Sequence, residues 1–386
     1  MNNHRIRSID MLRGIAIILM ALDHVRIYFG YGTFFAIPVN APNLAPLLFF
    51  TRWITQFCAP IFIFLSGVSA YLFGIHRKNK KKLSFFLLTR GLFLVILELT
   101  IVNFGWTFDI TLGFHILQVI WVIGLSMVFM SLIIFLPQKF IALIGLVLIL
   151  GHNLLDQIHL TGNSLIDMIW YVLHQPKLVL LNKNSAIDFV YSLIPWLGLM
   201  AVGYVCGSLY VKYYNASERR RYFLYAGLGC ILLFLILRVL NMYGDPNFWH
   251  PQQNFIQTLM AILNTTKYPP SLQYILMTIG PSLIVLSCID FVKNKISHFF
   301  SMFGRVPLFF YVIHLYLIHL LAILFMIALG RNWQKYIFTV SSFTTRSSAH
   351  TGFNLIIVYV VWVFVLALMY PLCLWYNTFK NKHKSS

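Results

Sequence analysis

The chain has 386 residues, of which 59% are hydrophobic, 17% aromatic and only 10% charged. A soluble domain carries about 25% charged residues, so a chain this poor in charge cannot cover a soluble surface. The composition excludes a soluble globular enzyme, a disordered chain, a coiled coil and a disulfide-rich secreted module. It leaves a polytopic protein of the lipid bilayer. The net charge of +19, from 29 Lys and Arg against 10 Asp and Glu, is read as the bias of cytoplasmic loops. No nucleic-acid partner is expected.

The opening MNNHRIRSIDMLRG runs into an apolar stretch without a small-residue cleavage site, and reads as a first span rather than a signal peptide. Apolar runs predict about ten transmembrane helices, at 11–30, 48–75, 84–104, 112–136, 139–152, 188–211, 222–242, 271–292, 299–330 and 352–377. The fifth is short, and the ninth is long enough to be tilted or broken. With the N-terminus in the cytoplasm, 20 of the 29 basic residues fall on the inner side, and His76–Lys82 is the strongest inner marker. The expected fold is therefore an all-α polytopic integral membrane helical bundle with both termini cytoplasmic. It forms one domain over 5–378 with a basic tail at 379–386, integral to the cell (inner) membrane. The outer loops at 153–187 and 243–270 carry Asp, Asn, His, Trp and Pro, a lining suited to a polar, sugar-like ligand.

Cys58, Cys206, Cys230, Cys288 and Cys373 lie far apart in apolar stretches, with no CxxC spacing. They read as packing residues, and neither a disulfide framework nor a metal site is expected. Gly198, Gly203 and Gly207 read as close helix packing, and Ser66 lacks the strained elbow of a serine nucleophile. No internal repeat is present, which weakens a secondary-transporter reading.

Ionisable groups inside spans are costly, so each is a functional candidate. The first span holds the densest set: Arg13 at its cytoplasmic start, then Asp23 and His24 within the apolar run, then Arg26. Arg13 and His24 are 11 residues apart, about 16 Å along a helix. An arginine at the inner surface suits phosphates, and a deeper histidine suits general-base work on an acceptor hydroxyl or amine. A phosphorylated cofactor with a long arm ending in a thioester, such as an acyl-CoA, spans both. Asp23 stands about 100° round the helix from His24 and has Arg26 at i+3 as an alternative partner; Asp10 stands likewise to Arg13. Glu98 lies mid-span and needs a partner. His314 and His319, five apart, do not match metal spacing, while Tyr311 and His314 share a face.

Arg7-Ser8-Ile9-Asp10-Met11-Leu12-Arg13-Gly14-Ile15-Ala16, with Met20 and Asp23-His24, resembles the opening of membrane acyltransferases. Pro60-Ile61-Phe62-Ile63-Phe64-Leu65-Ser66-Gly67, Thr89-Arg90-Gly91-Leu92 with Glu98-Leu99-Thr100, and Pro195-Trp196-Leu197-Gly198 follow in order. Lys267-Tyr268-Pro269-Pro270-Ser271-Leu272 and Phe303-Gly304-Arg305-Val306-Pro307-Leu308-Phe309 complete the set. Together they resemble bacterial relatives of the heparan-alpha-glucosaminide N-acetyltransferase catalytic domain, within the transmembrane acyltransferase superfamily. The resemblance implies transfer of acetyl from cytoplasmic acetyl-CoA, a co-substrate, to an amino or hydroxyl group of a sugar or glycan acceptor on the far side. In this reading His24 is the base, tuned by Asp23 or Glu98. Arg13, Arg90 and Arg305 hold the CoA phosphates, and Lys267, Tyr268 and Trp249 lie near the acceptor entrance. No metal takes part, and a homodimer is compatible. The lysosomal enzyme has its proposed active histidine in the loop after the first span. Residues 30–57 here contain no histidine, so an acetyl-histidine at that position does not carry over. The competing expectation is a non-catalytic permease or binding protein with Asp23, His24 and Glu98 as a proton relay.

Overall fold

Hydrocarbon offers no partner to backbone N–H and C=O groups, so a chain this apolar pairs them within helices. The computed structural model describes residues 6–30, 46–77, 79–211, 215–290, 292, 294–341 and 352–382, and it is 75% helical. Its helices in chain order are α1 Arg7–Phe29, α2 Pro46–Thr55, α3 Cys58–Arg77, α4 Lys80–Leu97, α5 Asn103–Thr107, α6 Val119–Ile133, α7 Gln138–Gly151 and α8 Leu165–Leu173. There follow α9 Leu193–Cys206, α10 Ala216–Leu240, α11 Phe255–Leu263, α12 Leu272–Ile289, α13 Lys295–Gly304, α14 Pro307–Ala328 and α15 Leu355–Lys382. Among the described residues eight segments are long and apolar enough to cross a membrane: Pro46–Ile75, Lys80–Thr107, Gln138–Leu155, Leu193–Tyr210, Ala216–Leu240, Leu272–Ile289, Pro307–Ala328 and Leu355–Lys382. The chain is thus a polytopic helical membrane protein.

Two expected spans differ in build. The run 112–136 opens with a strand, β1 Phe114–Leu117, and only then becomes the 15-residue α6. The run 299–330 is two helices, α13 and α14, parted at Arg305-Val306-Pro307 because proline has no N–H to continue a helix and suits its first turn. The outer stretch at 153–187 holds α8 and a hairpin of β2 Lys177–Asn182 and β3 Ser185–Phe189, paired in register Lys177↔Phe189 to Leu180↔Ala186. Leu117, Tyr171, Val179 and Phe189 form a small core beneath it. The expected tail at 379–386 runs as helix to Lys382, and 383–386 lie outside the described residues.

The chain divides into two compact units. The first comprises Met1–Cys58, Ile101–Phe114 and Cys288–Ser386. Its centre is α1, whose apolar residues point all round because α2, α13, α14 and α15 surround it. Gly14 and Gly304 are where α1 and α13 cross. A Cβ on Gly14 would stand 1.8 Å from the Phe300 carbonyl oxygen, and one on Gly304 the same distance from that of Asp10. Only glycine permits this approach. Trp362 Nε1–H donates to the Ile18 carbonyl at 2.9 Å and fastens α15 to α1.

The second unit comprises Ala59–Thr100 and His115–Ser287. Its helices pair through glycines on both partners: Gly91 against Gly124, Gly145 against Gly198, Gly227 against Gly280, and Gly203 against the Phe64 carbonyl beside Gly67. This is the small-residue packing of membrane helices. Its 243–273 segment is folded around Arg238, a buried arginine at the end of α10. The guanidinium donates to the carbonyls of Ile262 (2.8 Å), Asn247 (3.1 Å), Ala261 (2.9 Å) and Asn264 (2.8 Å) and to Gln273 Oε1 (3.1 Å). Asp245 in turn accepts from Asn247 N, Thr266 N, Thr266 Oγ1 and Ser271 Oγ, all at 2.8–2.9 Å.

Two outcomes are expected. Gly14→Ala forces the α1 and α13 backbones apart and lowers stability by at least the about 1–3 kcal/mol of an overpacked core, read as a lower Tm in detergent. Burial alone pushes the Asp188 carboxyl in β3 up to about 6. Its unfolded counterpart titrates near about 3.9, so the folded state holds a proton the unfolded state has lost, and stability falls as pH rises through that window. Asp188→Asn removes this loss. Its Tm gain over the wild type grows from near nothing at pH 4 to full size above pH 6.5.

Candidate active site

In the first unit α1 carries His24 to a buried position; 7% of the residue is exposed, and none of His314 on α14. His24 Nδ1 and His314 Nε2 are 2.8 Å apart. The other His314 nitrogen, Nδ1, is 2.8 Å from the Phe310 carbonyl, which can only accept. His314 therefore carries its proton on Nδ1, its Nε2 accepts, and His24 donates through Nδ1–H. That leaves the lone pair on His24 Nε2. The two rings are stacked with centroids 5.0 Å apart, and Trp106 stands edge-on to His24 at 4.7 Å. The arrangement has the logic of a base oriented by a third group, with a neutral imidazole where a carboxylate is common.

The Trp106 segment is held by backbone contacts. Tyr28 Oη donates to the Trp106 carbonyl at 2.8 Å. His319 sets its ring nitrogens against the Gly105 and Tyr336 carbonyls, at 3.0 and 2.7 Å, and stacks on Phe108 at 3.8 Å. Tyr316 Oη donates to the Ile101 carbonyl at 2.6 Å, where the helix widens into a π-type turn over Glu98–Val102. His319 is thus a structural tie, whereas His314 is the partner of His24.

Asp23 lies one residue before His24 and is tied to two other side chains. Its Oδ1 accepts from Arg26 at 2.9 Å and from Thr55 Oγ1 at 3.0 Å. A step of one residue turns it away from its neighbour on the helix, and Arg26 at i+3 captures it. Glu98 belongs to the second unit and is fully buried. Its carboxyl faces the first turn of α6, where the Gln118 amide donates to Oε1 at 3.3 Å. Gln118 is the N-cap of α6 and has no side-chain cap bond of its own. Glu98 therefore serves as the missing cap, drawn from another helix.

At the inner end of α1, Arg13 donates to Asp10 Oδ1 at 3.1 Å and to the Gly304 carbonyl at 3.2 Å. Arg305 follows Gly304 directly, is half-buried, and its Nε makes no hydrogen bond among the described residues. Arg7, which the sequence did not single out, donates to Ser297 Oγ and to the Asn294 carbonyl at the start of α13. The crossing at Gly14 and Gly304 thus sets Arg13 beside Arg305 at the end of α13, while Arg7 holds the start of that helix. Arg90 lies in the second unit, exposed, over the Phe93 ring.

The expected acceptor residues all belong to the second unit. Lys267 lies over the Tyr268 ring at 5.1 Å, and Tyr268 meets Tyr191 edge-on at 5.3 Å. Trp249 donates its indole N–H to the Arg238 carbonyl at 2.6 Å, and its backbone pairs with Asn241, so its polar atom is engaged in holding the loop.

The first unit thus holds a buried, hydrogen-bonded histidine pair, and the chain as a whole is a polytopic helical membrane protein. The model of the family described as heparan-alpha-glucosaminide N-acetyltransferase, catalytic, matches residues 5–243, well over half of the chain. The chain belongs to this family of membrane acyltransferases. The matched region contains α1 with Arg13 and His24, while the Lys267 and Arg305 motifs lie beyond it. No curated protein matches the chain.

Glu98→Ala is expected to leave the first amides of α6 without an acceptor and to cost about 1–2 kcal/mol, seen as a lower Tm in detergent. Glu98→Gln keeps an acceptor and loses less.

Proposed function

We propose that the protein moves an acetyl group from cytoplasmic acetyl-CoA to an amino or hydroxyl group of a sugar-like acceptor on the extracytoplasmic side, with His24 as general base. The observation that carries this reading is the hydrogen-bond chain Phe310 carbonyl–His314–His24, which leaves the basic lone pair on His24 Nε2. Family membership supports the reaction class.

In the transfer, His24 Nε2 takes the proton of the acceptor N–H or O–H. The freed electron pair attacks the thioester carbonyl, the C–S bond breaks, and the thiolate leaves and takes up a proton. His314 Nε2, accepting from His24 Nδ1–H, fixes the ring and stabilises the imidazolium as it forms. Arg13 and Arg305 lie at the other end of α1, about 16 Å away along the helix. Their charges suit the phosphates of a coenzyme whose arm reaches the base. Within the second unit, Arg90 is proposed as a further phosphate-binding residue and Lys267, Tyr268 and Trp249 as acceptor-binding residues. Both termini and the basic loops would face the cytoplasm of a cell whose inner membrane holds the protein. A proton relay would need Asp23 to serve His24, and Asp23 is engaged by Arg26 and Thr55.

The test is slow hydrolysis of [14C]acetyl-CoA by purified protein. His24→Ala keeps binding and loses about 10²–10⁴-fold in turnover. His314→Gln, which can still accept from His24, retains more turnover than His314→Ala. Arg13→Gln raises KM for acetyl-CoA and leaves turnover at saturation nearly intact. A folded wild type that binds neither acetyl-CoA nor longer acyl-CoAs overturns the transferase reading.

A further inference from the structure

His152 is 2% exposed, and neither of its ring nitrogens has a hydrogen-bond partner among the described residues. A buried imidazole with both nitrogens unpartnered is rare, because each forfeits hydration and gains nothing. His174 is equally buried, and its Nδ1 likewise has no partner among the described residues. Between them lies Asp156, whose Oδ1 is 3.0 Å from His174 Nε2. One ligand atom from each of the three lies within 4.8 Å of the others. The edge of a tetrahedral zinc site is about 3.3 Å at ligand distances of about 2.0 Å, so small side-chain rotations close the set.

The three come from two elements of the second unit. His152 and Asp156 bracket the last turn beyond α7, four residues apart, and His174 caps the end of α8. A supporting layer already orients them. Asn153 Nδ2–H donates to Asp156 Oδ2 at 2.8 Å, and Asn153 Oδ1 accepts from the Leu272 amide at 3.0 Å. These bonds also counter burial, which by itself pushes the Asp156 carboxyl up. The bonds from His174 and Asn153 outweigh it and hold the group below its usual value, as a ligand carboxylate needs to be.

We propose that His152, Asp156 and His174 bind a divalent transition-metal ion of the zinc type, with a fourth position open to water. Two imidazoles and one carboxylate are a borderline donor set that suits zinc over magnesium or calcium. On binding, the proton that His174 Nε2 now shares with Asp156 moves to Nδ1, and the freed Nε2 lone pair takes the metal. The ion ties the end of α7 to the end of α8. The site does not depend on the acetyl-transfer reading.

The test uses the full chain in detergent, tag removed and stripped with a chelator. Wild type is titrated with Co2+, read by its tetrahedral visible absorption, then displaced by Zn2+, with bound zinc counted by mass spectrometry. The expected result is one equivalent per chain and a Tm raised by Zn2+. Asp156→Asn weakens binding about 100-fold. His152→Leu is the cleaner variant, since His152 has no hydrogen bond to lose among the described residues. It keeps the Tm of the metal-free wild type and loses both the absorption and the Zn2+-induced rise. A folded wild type that gives no tetrahedral absorption and no Tm response, or a His152→Leu protein that binds zinc as the wild type does, overturns the proposal.

Discussion

The approach of α1 to α13 at Gly14 and Gly304 is the contact on which the first unit depends. It brings two backbones together with no side chain between them. Because the helices touch there, Arg13 reaches the Gly304 carbonyl and Arg305 emerges at the same corner. Farther along, the same buried α1 lies against α14, and His24 meets His314. A wider crossing would loosen both ends, one that holds charge and one that holds a proton-accepting ring.

Burying polar groups in such a chain is costly unless each finds a partner. The protein meets this requirement in three ways. The histidine pair chains two rings to one carbonyl and so fixes both tautomers. Arg238 directs its donors to loop carbonyls and the Gln273 amide, turning the 243–273 segment into an ordered cap. Glu98 leaves its own helix unaided and caps another. Of these, only the first leaves a basic nitrogen in place, which is why the chemistry is assigned to α1 and the other two are read as scaffold.

Much of the fold was legible in the sequence, because an uncharged apolar run of span length is soluble in little except lipid. Glycine spacing in 198–207 also foretold packing, now seen as Gly198 on Gly145, Gly203 on the Phe64 carbonyl and Gly207 on Tyr71. Arg13 and His24 stood out because charge in a span is costly. Their surroundings were not legible. His314 is 290 residues from His24, and no local pattern marks one as the acceptor of the other. The pairing of Asp23 with Arg26 was legible, because i, i+3 spacing puts both on one face of the helix. Nothing in the sequence marked Arg238, since all but one of its acceptors are backbone carbonyls, which carry no sequence signature. The hairpin at 177–189 was hidden because a short polar-flanked strand pair in an outer loop resembles any other loop.

His24 carries its proton on Nδ1 and its lone pair on Nε2 because His314 accepts from it. The most direct measurement is the 15N spectrum of histidine-labelled protein in micelles near neutral pH, with His24 assigned by its loss in His24→Ala. The expected result is an Nδ1–H tautomer for His24 that disappears as the dominant form in His314→Ala. An Nε2–H tautomer in the wild type, or a His24 signal indifferent to His314, would contradict it.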